Sequence, residues 1–421
     1  MTDSPERNPA PEHVVIVGAG MAGVQTAVQL REQGWAGAVT LIGAEPHRPY
    51  DRPPLSKAVL LGKVEGSEFD IDYDDLAIGL ELGRVVTGLR PSAHRLDLAA
   101  GGTLAYDRLV LATGAEPVVP PGWEAGIAAG PGPGVHLLRT LDDAARLRPV
   151  LLGRGSVVVV GAGWIGAEFA TAAREAGCEV TVVEAAGLPL AGVLPPEVTE
   201  HMRDWYAEGG VRLRVGIPVT AVAADGVLLA DGERLAADAV VVGVGARPAT
   251  GWLAGSGVAL CPDGSVRADA GLRTSQAHVY AVGDCASFPS ARYGRRLLVH
   301  HWDNALQGPR VVAANLVAEC RAGRAEESVE YDPVPYFWSE QFGRFVQYVG
   351  QHSEGDELVR RGDPGGAAWS VCWLRDGALT ALLAVGRPRD LAQGRKLVAQ
   401  GTRLDPVLVS DPALALKKAL R

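Results

Sequence analysis

The chain has 421 residues, 47% hydrophobic and 21% charged, with a net charge of −9 at neutral pH. That length exceeds what one core usually supports, so two or three domains are expected, and the acidic balance argues against a general nucleic-acid binder while leaving room for a local basic patch that docks an acidic protein. No apolar run reaches the roughly 18 residues of a membrane span, and the polar, proline-containing start over residues 1–12 lacks the layout of a signal peptide, so a cytoplasmic protein with no membrane partner is expected.

The first predicted element is a strand, Val14-Val15-Ile16-Val17, which runs into Gly18-Ala19-Gly20-Met21-Ala22-Gly23. The G-x-G-x-x-G spacing reads as strand, tight turn and helix start. Gly18 lets the chain turn, Gly20 lets backbone approach a pyrophosphate, and Gly23 lets the helix over residues 24–33 pack on the strand. Phosphates then meet the unpaired N–H groups and positive dipole end of the helix. A second strand, Val39-Thr40-Leu41-Ile42-Gly43, precedes Glu45, about twenty residues past the turn. A carboxylate there either accepts hydrogen bonds from an adenosine ribose or is a solvated loop glutamate. The prolines of Arg48-Pro49-Tyr50-Asp51-Arg52-Pro53-Pro54-Leu55-Ser56-Lys57 stiffen a loop and fix its cations in place. Residues 58–107 read as a β-rich excursion without a site. A buried strand then ends in the small-residue turn Ala112-Thr113-Gly114, and a Gly/Pro-rich linker is expected over residues 116–134.

The glycine pattern returns at Val157-Val158-Val159-Val160-Gly161-Ala162-Gly163-Trp164-Ile165-Gly166. Two such folds in one chain imply two dinucleotides. The next strand ends at Glu184, 18 positions after Gly166, where a carboxylate hydrogen-bonds the 2′-hydroxyl of NAD and repels the 2′-phosphate of NADP. Loop 187–192 offers no cation for that phosphate. Glu168, two residues past the last glycine, either favours the helix dipole or has a role in the site. Strands are expected around 211–222 and 239–248. Further on, Val279-Tyr280-Ala281-Val282-Gly283-Asp284 is a strand closing on Gly-Asp, suited to binding a sugar or ribityl hydroxyl.

His300 and His301 are adjacent, so they point differently, and no third ligand is spaced to join them; no metal is expected. An amphipathic helix follows over residues 305–318. A third domain is expected from about Tyr331, with alternating stretches at 345–349, 369–374 and 379–385, the last two joined by Arg375-Asp376-Gly377 into an antiparallel sheet. The basic run 387–396 reads equally as a contact for an acidic partner or as a solvated helix face. The five cysteines are scattered, with no C-x-x-C, and none lies between Gly23 and Asp107, where a disulfide-reducing flavoenzyme needs its redox pair.

These motifs together resemble the FAD-dependent pyridine nucleotide oxidoreductase superfamily, and within it the NAD(P)H:ferredoxin reductases that include the putidaredoxin and rubredoxin reductases. The likeness rests on P-Y-x-R-P-P-L-S-K, A-T-G, W-I-G-x-E, the T-x(4)-V-Y-A-V-G-D string from Thr274, H-W-D-N-A and F-W-S-x-Q, in family order. It implies an α/β fold of the glutathione-reductase type: two Rossmann-like domains for FAD and NAD plus a C-terminal α+β domain. FAD would occupy 1–117 and 250–330, NAD 118–249, with the last domain at 331–421. Arg52 and Lys57 would lie against FAD, Thr113 and Gly114 under the flavin, and Asp284 on the ribityl chain. Trp302 and Trp338 would lie near the flavin, Gly245 at the return crossing, and Glu168 beside the nicotinamide facing Lys57. His300 departs from the family's glutamate, and loop 187–192 lacks the arginine of many relatives. The implied activity is hydride transfer from NADH to FAD and single-electron delivery to an iron–sulfur ferredoxin that feeds an oxygenase such as a cytochrome P450. The alternatives are an NADH oxidase or peroxide-reducing flavoenzyme, and a flavin-carrying regulatory protein resembling apoptosis-inducing factor. Whether the protein is a monomer or homodimer stays open.

Overall fold

The computed structural model describes residues 12–127, 130–322 and 328–421. Residues 1–11, on which the signal-peptide reading falls, and residues 128–129 of the expected linker lie outside the described residues. The chain forms two compact units: Met1–Tyr50, Glu68–Ala115 and Pro248–Pro333 in one, and Asp51–Ser67, Glu116–Arg247 and Val334–Arg421 in the other. From Asp51 on, the proline-stiffened loop therefore groups with the second glycine turn rather than with the first, and so does the C-terminal region.

In the first unit a five-stranded sheet runs in the order Val279–Ala281, Arg108–Leu111, Val14–Val17, Val39–Ile42, Ile78–Glu81, every pairing parallel. Val14, Val15 and Ile16 are fully buried, as expected of a parallel strand covered on both faces. Helices Met21–Glu32 and Trp302–Ala322 pack together over this sheet. The excursion is a three-stranded antiparallel sheet, Val86–Arg90, Arg95–Leu98 and Thr103–Ala105.

The second unit repeats the plan, with the order Arg212–Val215, Glu179–Glu184, Ser156–Val160, Ala239–Val242, Gly134–His136. Its outermost strand precedes the glycine turn in sequence, whereas the equivalent strand of the first unit, Val279–Ala281, follows far downstream. The Gly/Pro-rich stretch is accordingly more than the expected linker: Trp123 is buried with Val135, Val158, Val160 and Val183, and Gly134–His136 is a sheet strand. Burying a large apolar side chain outweighs the local turn chemistry there.

The C-terminal region is a five-stranded antiparallel sheet ordered Tyr336–Gln341, Arg344–Gly350, Ala378–Val385, Trp369–Arg375, Glu357–Arg361. Asp376 and Gly377 both take positive φ, 51° and 80°, in the two-residue hairpin turn that Asp-Gly favours. Helix Pro388–Gln400 covers one face through Leu391, Leu397 and Val398. Leu194, Val198, Met202 and Trp205, which follow the second glycine turn, cover the other. Among the described residues no helix is long and apolar enough to cross a membrane.

Candidate functional site

The two glycine turns are built alike. A Cβ at Gly18, where φ is +113°, would lie 2.2 Å from the Ala112 carbonyl oxygen, and one at Gly23 would lie 1.8 Å from the Gly18 oxygen. In the second turn a Cβ at Gly161, φ +105°, would lie 2.3 Å from the Gly243 oxygen, and one at Gly166 would lie 2.1 Å from the Gly161 oxygen. The first and third glycines are thus demanded by the protein's own packing. The middle ones are not, because a Cβ at Gly20 or Gly163 meets nothing within 4 Å. Each middle glycine is the N-cap residue of a helix that no side chain caps. An open approach to uncapped helix N–H groups is the cradle a pyrophosphate needs, so these residues fit FAD and NAD.

Around the first turn, Tyr50 donates its hydroxyl to Glu45 Oε2 at 2.5 Å, fixing the candidate ribose carboxylate. The Thr113 hydroxyl donates to the Ala249 carbonyl at 2.8 Å and Ala249 N–H to Gly114 O at 3.0 Å, pinning the small-residue turn. Asp284 sits in a single 3-10 turn, Gly283–Cys285, and a Cβ at Gly283 would lie 2.8 Å from the Ala22 Cβ. The structure thus brings Gly283, the neighbour of Asp284, to the first turn of the glycine-loop helix. Trp302 is the first residue of helix Trp302–Ala322.

In the second turn, Glu184 Oε2 accepts from Ala162 N–H at 2.8 Å and Oε1 from Ala186 N–H at 2.9 Å. Leu190 N–H donates to Ala162 O at 3.0 Å. Loop 187–192 supplies no cation but clamps the peptide between Gly161 and Gly163. Gly245 has φ +121°, and its oxygen accepts from Val118 N–H at 2.9 Å.

A buried polar cluster surrounds Glu168, which is 5% exposed. Lys57 Nζ lies 2.6 Å from Oε2, and the Ser56 hydroxyl donates to the same oxygen at 2.7 Å. The Ser339 hydroxyl donates to Oε1 at 2.8 Å. Glu168 is the fifth residue of helix Trp164–Glu175, past the first turn whose N–H groups feel the dipole most, so the dipole reading does not describe its position. The sequence motifs paired Lys57 with Glu168; Ser56 and Ser339 were missed. The alternation of a strand that starts at Tyr336 would have placed Ser339 on one face with Phe337. Trp338 falls on the opposite face, its ring 5.9 Å from that of Tyr336, so the structure does not bring it to the Glu168 cluster. Arg52 donates to the Arg139 carbonyl at 2.7 Å, from the same compact unit as Lys57.

All five cysteines are free. Burial pushes Cys285 up and Cys372 up to about 12, which disfavours their thiolates. In the basic run, Arg387 pairs with Asp390 at 2.7 Å and Arg395 lies over the Tyr336 ring, while Arg389 and Lys396 are exposed.

Residues 12–308 match the family described as pyridine nucleotide-disulphide oxidoreductase, and residues 336–420 match the one described as reductase C-terminal. Rhodocoxin reductase of Rhodococcus erythropolis is 35% identical over 97% of this chain and 94% of its own. The crystal structure of Fdr9 superposes with a TM-score of 0.88 at 44% identity, covering 96% of this chain and 99% of that one. A covalent putidaredoxin reductase–putidaredoxin complex contains a chain with TM-score 0.88 and 33% identity, at 97% and 98% coverage. The chain belongs to the pyridine nucleotide-disulphide oxidoreductase family, as a member of its FAD-dependent NAD(P)H:ferredoxin reductases.

Proposed function

We propose that the chain is an NADH-dependent ferredoxin reductase, a flavoenzyme that passes electrons to an iron–sulfur ferredoxin serving an oxygenase such as a cytochrome P450. The observation that carries this reading is the pair of alike glycine turns, each with an open middle glycine at an uncapped helix start, in a chain alike over nearly its whole length to ferredoxin reductases. Bound FAD would supply the chemistry, accepting a hydride and releasing electrons one at a time. Gly18, Gly20, Gly23, Glu45 and Asp284 hold its nucleotide and ribityl parts in this reading, while Thr113 and Gly114 shape the turn beneath it and Trp302 lies close by. Gly161, Gly163, Gly166 and Glu184 hold NADH, with Gly245 at the return crossing. Arg52 and Lys57 take the flavin-facing roles, and the Lys57–Glu168 pair orients the nicotinamide and balances charge during transfer. The flavin domain is taken to end near residue 117 and resume near 250, and the setting is taken as cytoplasmic.

The cysteines weigh against disulfide or peroxide chemistry, since no two are paired and three are buried. The purified yellow protein is mixed anaerobically with one equivalent of NADH and its absorbance followed near 450 nm. A [2Fe–2S] ferredoxin is then added with cytochrome c as reporter. Rapid bleaching and ferredoxin-dependent cytochrome reduction are expected; bleaching reversed only by oxygen or peroxide would make the protein an oxidase.

A further inference from the structure

Glu168 is reached from a part of the chain that neither glycine turn contains. Helix Trp164–Glu175 and strand Tyr336–Gln341 lie along each other in matched register within one compact unit. Trp164 packs on Phe337, ring centroids 4.7 Å apart. Glu168 takes the hydroxyl of Ser339. The Thr171 hydroxyl accepts from Phe342 N–H at 3.0 Å, just past the strand's end. Positions i, i+4 and i+7 form one helix face, and alternate strand residues form one sheet face, so the two repeats run together over about two helical turns. The apolar contact at one end and the backbone contact at the other fix the strand's register. A slip by one residue would replace Ser339 with Trp338 or Glu340.

Ser339 is fully buried and so is its neighbour on that face, Gln341, whose amide donates to the Ser339 oxygen at 3.4 Å. The Ser339 proton is therefore directed to the carboxylate. Ser56 and Lys57 hold Oε2 from the proline-stiffened loop, so the two oxygens are gripped from two separate segments. Lys57 is the charged group in contact with Glu168; the strand presents the Ser339 hydroxyl to it, backed by the Gln341 amide, and Glu340 falls on the strand's other face.

We propose that Ser339 is a positioning residue of the nicotinamide site: the C-terminal sheet, through this one hydroxyl, sets the orientation of Glu168 and thereby the geometry of its pair with Lys57. The proposal rests on the reductase reading above. It makes the C-terminal region part of the hydride-transfer apparatus.

The test compares S339A, S339T, S339C and S56A with the parent holoprotein by anaerobic stopped flow, with the bleaching rate constant separated from NADH affinity. A hydrogen bond to a charged group leads to about a tenfold fall in the limiting rate constant for S339A. The NADH dissociation constant and FAD content should stay within about twofold. S339T, which keeps the hydroxyl, restores most of the rate. S56A, acting on the other oxygen, shows how far loosening Glu168 alone slows bleaching, and S339C, close in size but a weak donor, slows bleaching in the same sense as S339A and keeps the proposal testable should S339A fold poorly. A second readout needs no turnover: Lys57 acetylation by acetic anhydride, quantified by mass spectrometry, rises in S339A because a loosened carboxylate pairs less of the time. Unchanged rate and labelling in S339A would overturn the proposal, as would an S339T as slow as S339A. A parent protein that NADH does not bleach would instead defeat the reductase reading, leaving the labelling result to judge Ser339.

Discussion

In the proposed reading Glu184 carries two tasks on one carboxylate. Its end-of-strand position suits a ribose 2′-hydroxyl, yet the same side chain also holds Ala162 N–H and Ala186 N–H, and so keeps the glycine turn in shape. Glu184→Arg should therefore shift the ratio of kcat/KM for NADH over NADPH by at least about tenfold toward NADPH. It should also lower thermal stability by roughly 1–3 kcal/mol, because two backbone donors lose their acceptor. A ratio that does not move, measured in steady state with both nucleotides, would remove Glu184 from the selectivity role. At the first turn, Asp284→Ala is expected to reduce FAD retention on purification, since Asp284 follows Gly283, which packs against the start of the glycine-loop helix. The ratio of absorbance at 450 nm to 280 nm reads this directly, and an undiminished yellow protein would release Asp284 from the site.

At the scale of the element, the glycine turn separates what folds the protein from what binds its ligand. Gly163→Val adds a side chain whose Cβ meets nothing within 4 Å, so the fold should persist while NADH binding weakens at least about tenfold through the blocked pyrophosphate approach. Gly166→Ala does the opposite: its Cβ would sit 2.1 Å from the Gly161 oxygen, forcing helix and turn apart at a cost of about 1–3 kcal/mol. Thermal melts beside NADH titrations of both variants check the contrast, and a Gly163→Val that melts early would contradict it. The same distinction explains what was legible in the sequence. Glycine spacing, Val-rich strands and the Asp-Gly hairpin are local signals, and the elements they name are present. Lys57 and Glu168 were paired through motifs, not spacing. Ser339 lies 171 residues from Glu168, and a serine in a strand has no local mark of a buried acceptor across that distance. Trp123 was hidden for a related reason, since glycines and prolines around it outweigh in local pattern what only tertiary burial decides.

For the molecule as a whole, the folded state places histidines where protonation is unfavourable in both compact units. Burial and the nearby His300 push His301 down to about 4, and burial lowers His136, which lies against the Gly132 carbonyl. Each group is depressed in the folded state, so between pH 6.5 and 4 the unfolded chain binds more protons than the folded one. The stability these sites contribute is complete above about pH 6.5. It is lost progressively as pH falls toward 4, with His301 alone worth roughly 3 kcal/mol at the acid end. Asp356, held below its ordinary value by Arg375, Thr380 and Ser353 hydrogen bonds despite its burial, adds a further loss only below about pH 4. Urea unfolding at pH 7.5 and pH 5.0 should show the midpoint falling at the lower pH. His301→Gln, which cannot take up the proton, should flatten part of that fall. Because the two histidines occupy different units, the residual slope in His301→Gln should follow a probe of the second unit, such as Trp123 or Trp205 fluorescence, and a midpoint independent of pH across this window would exclude the buried neutral state of both rings.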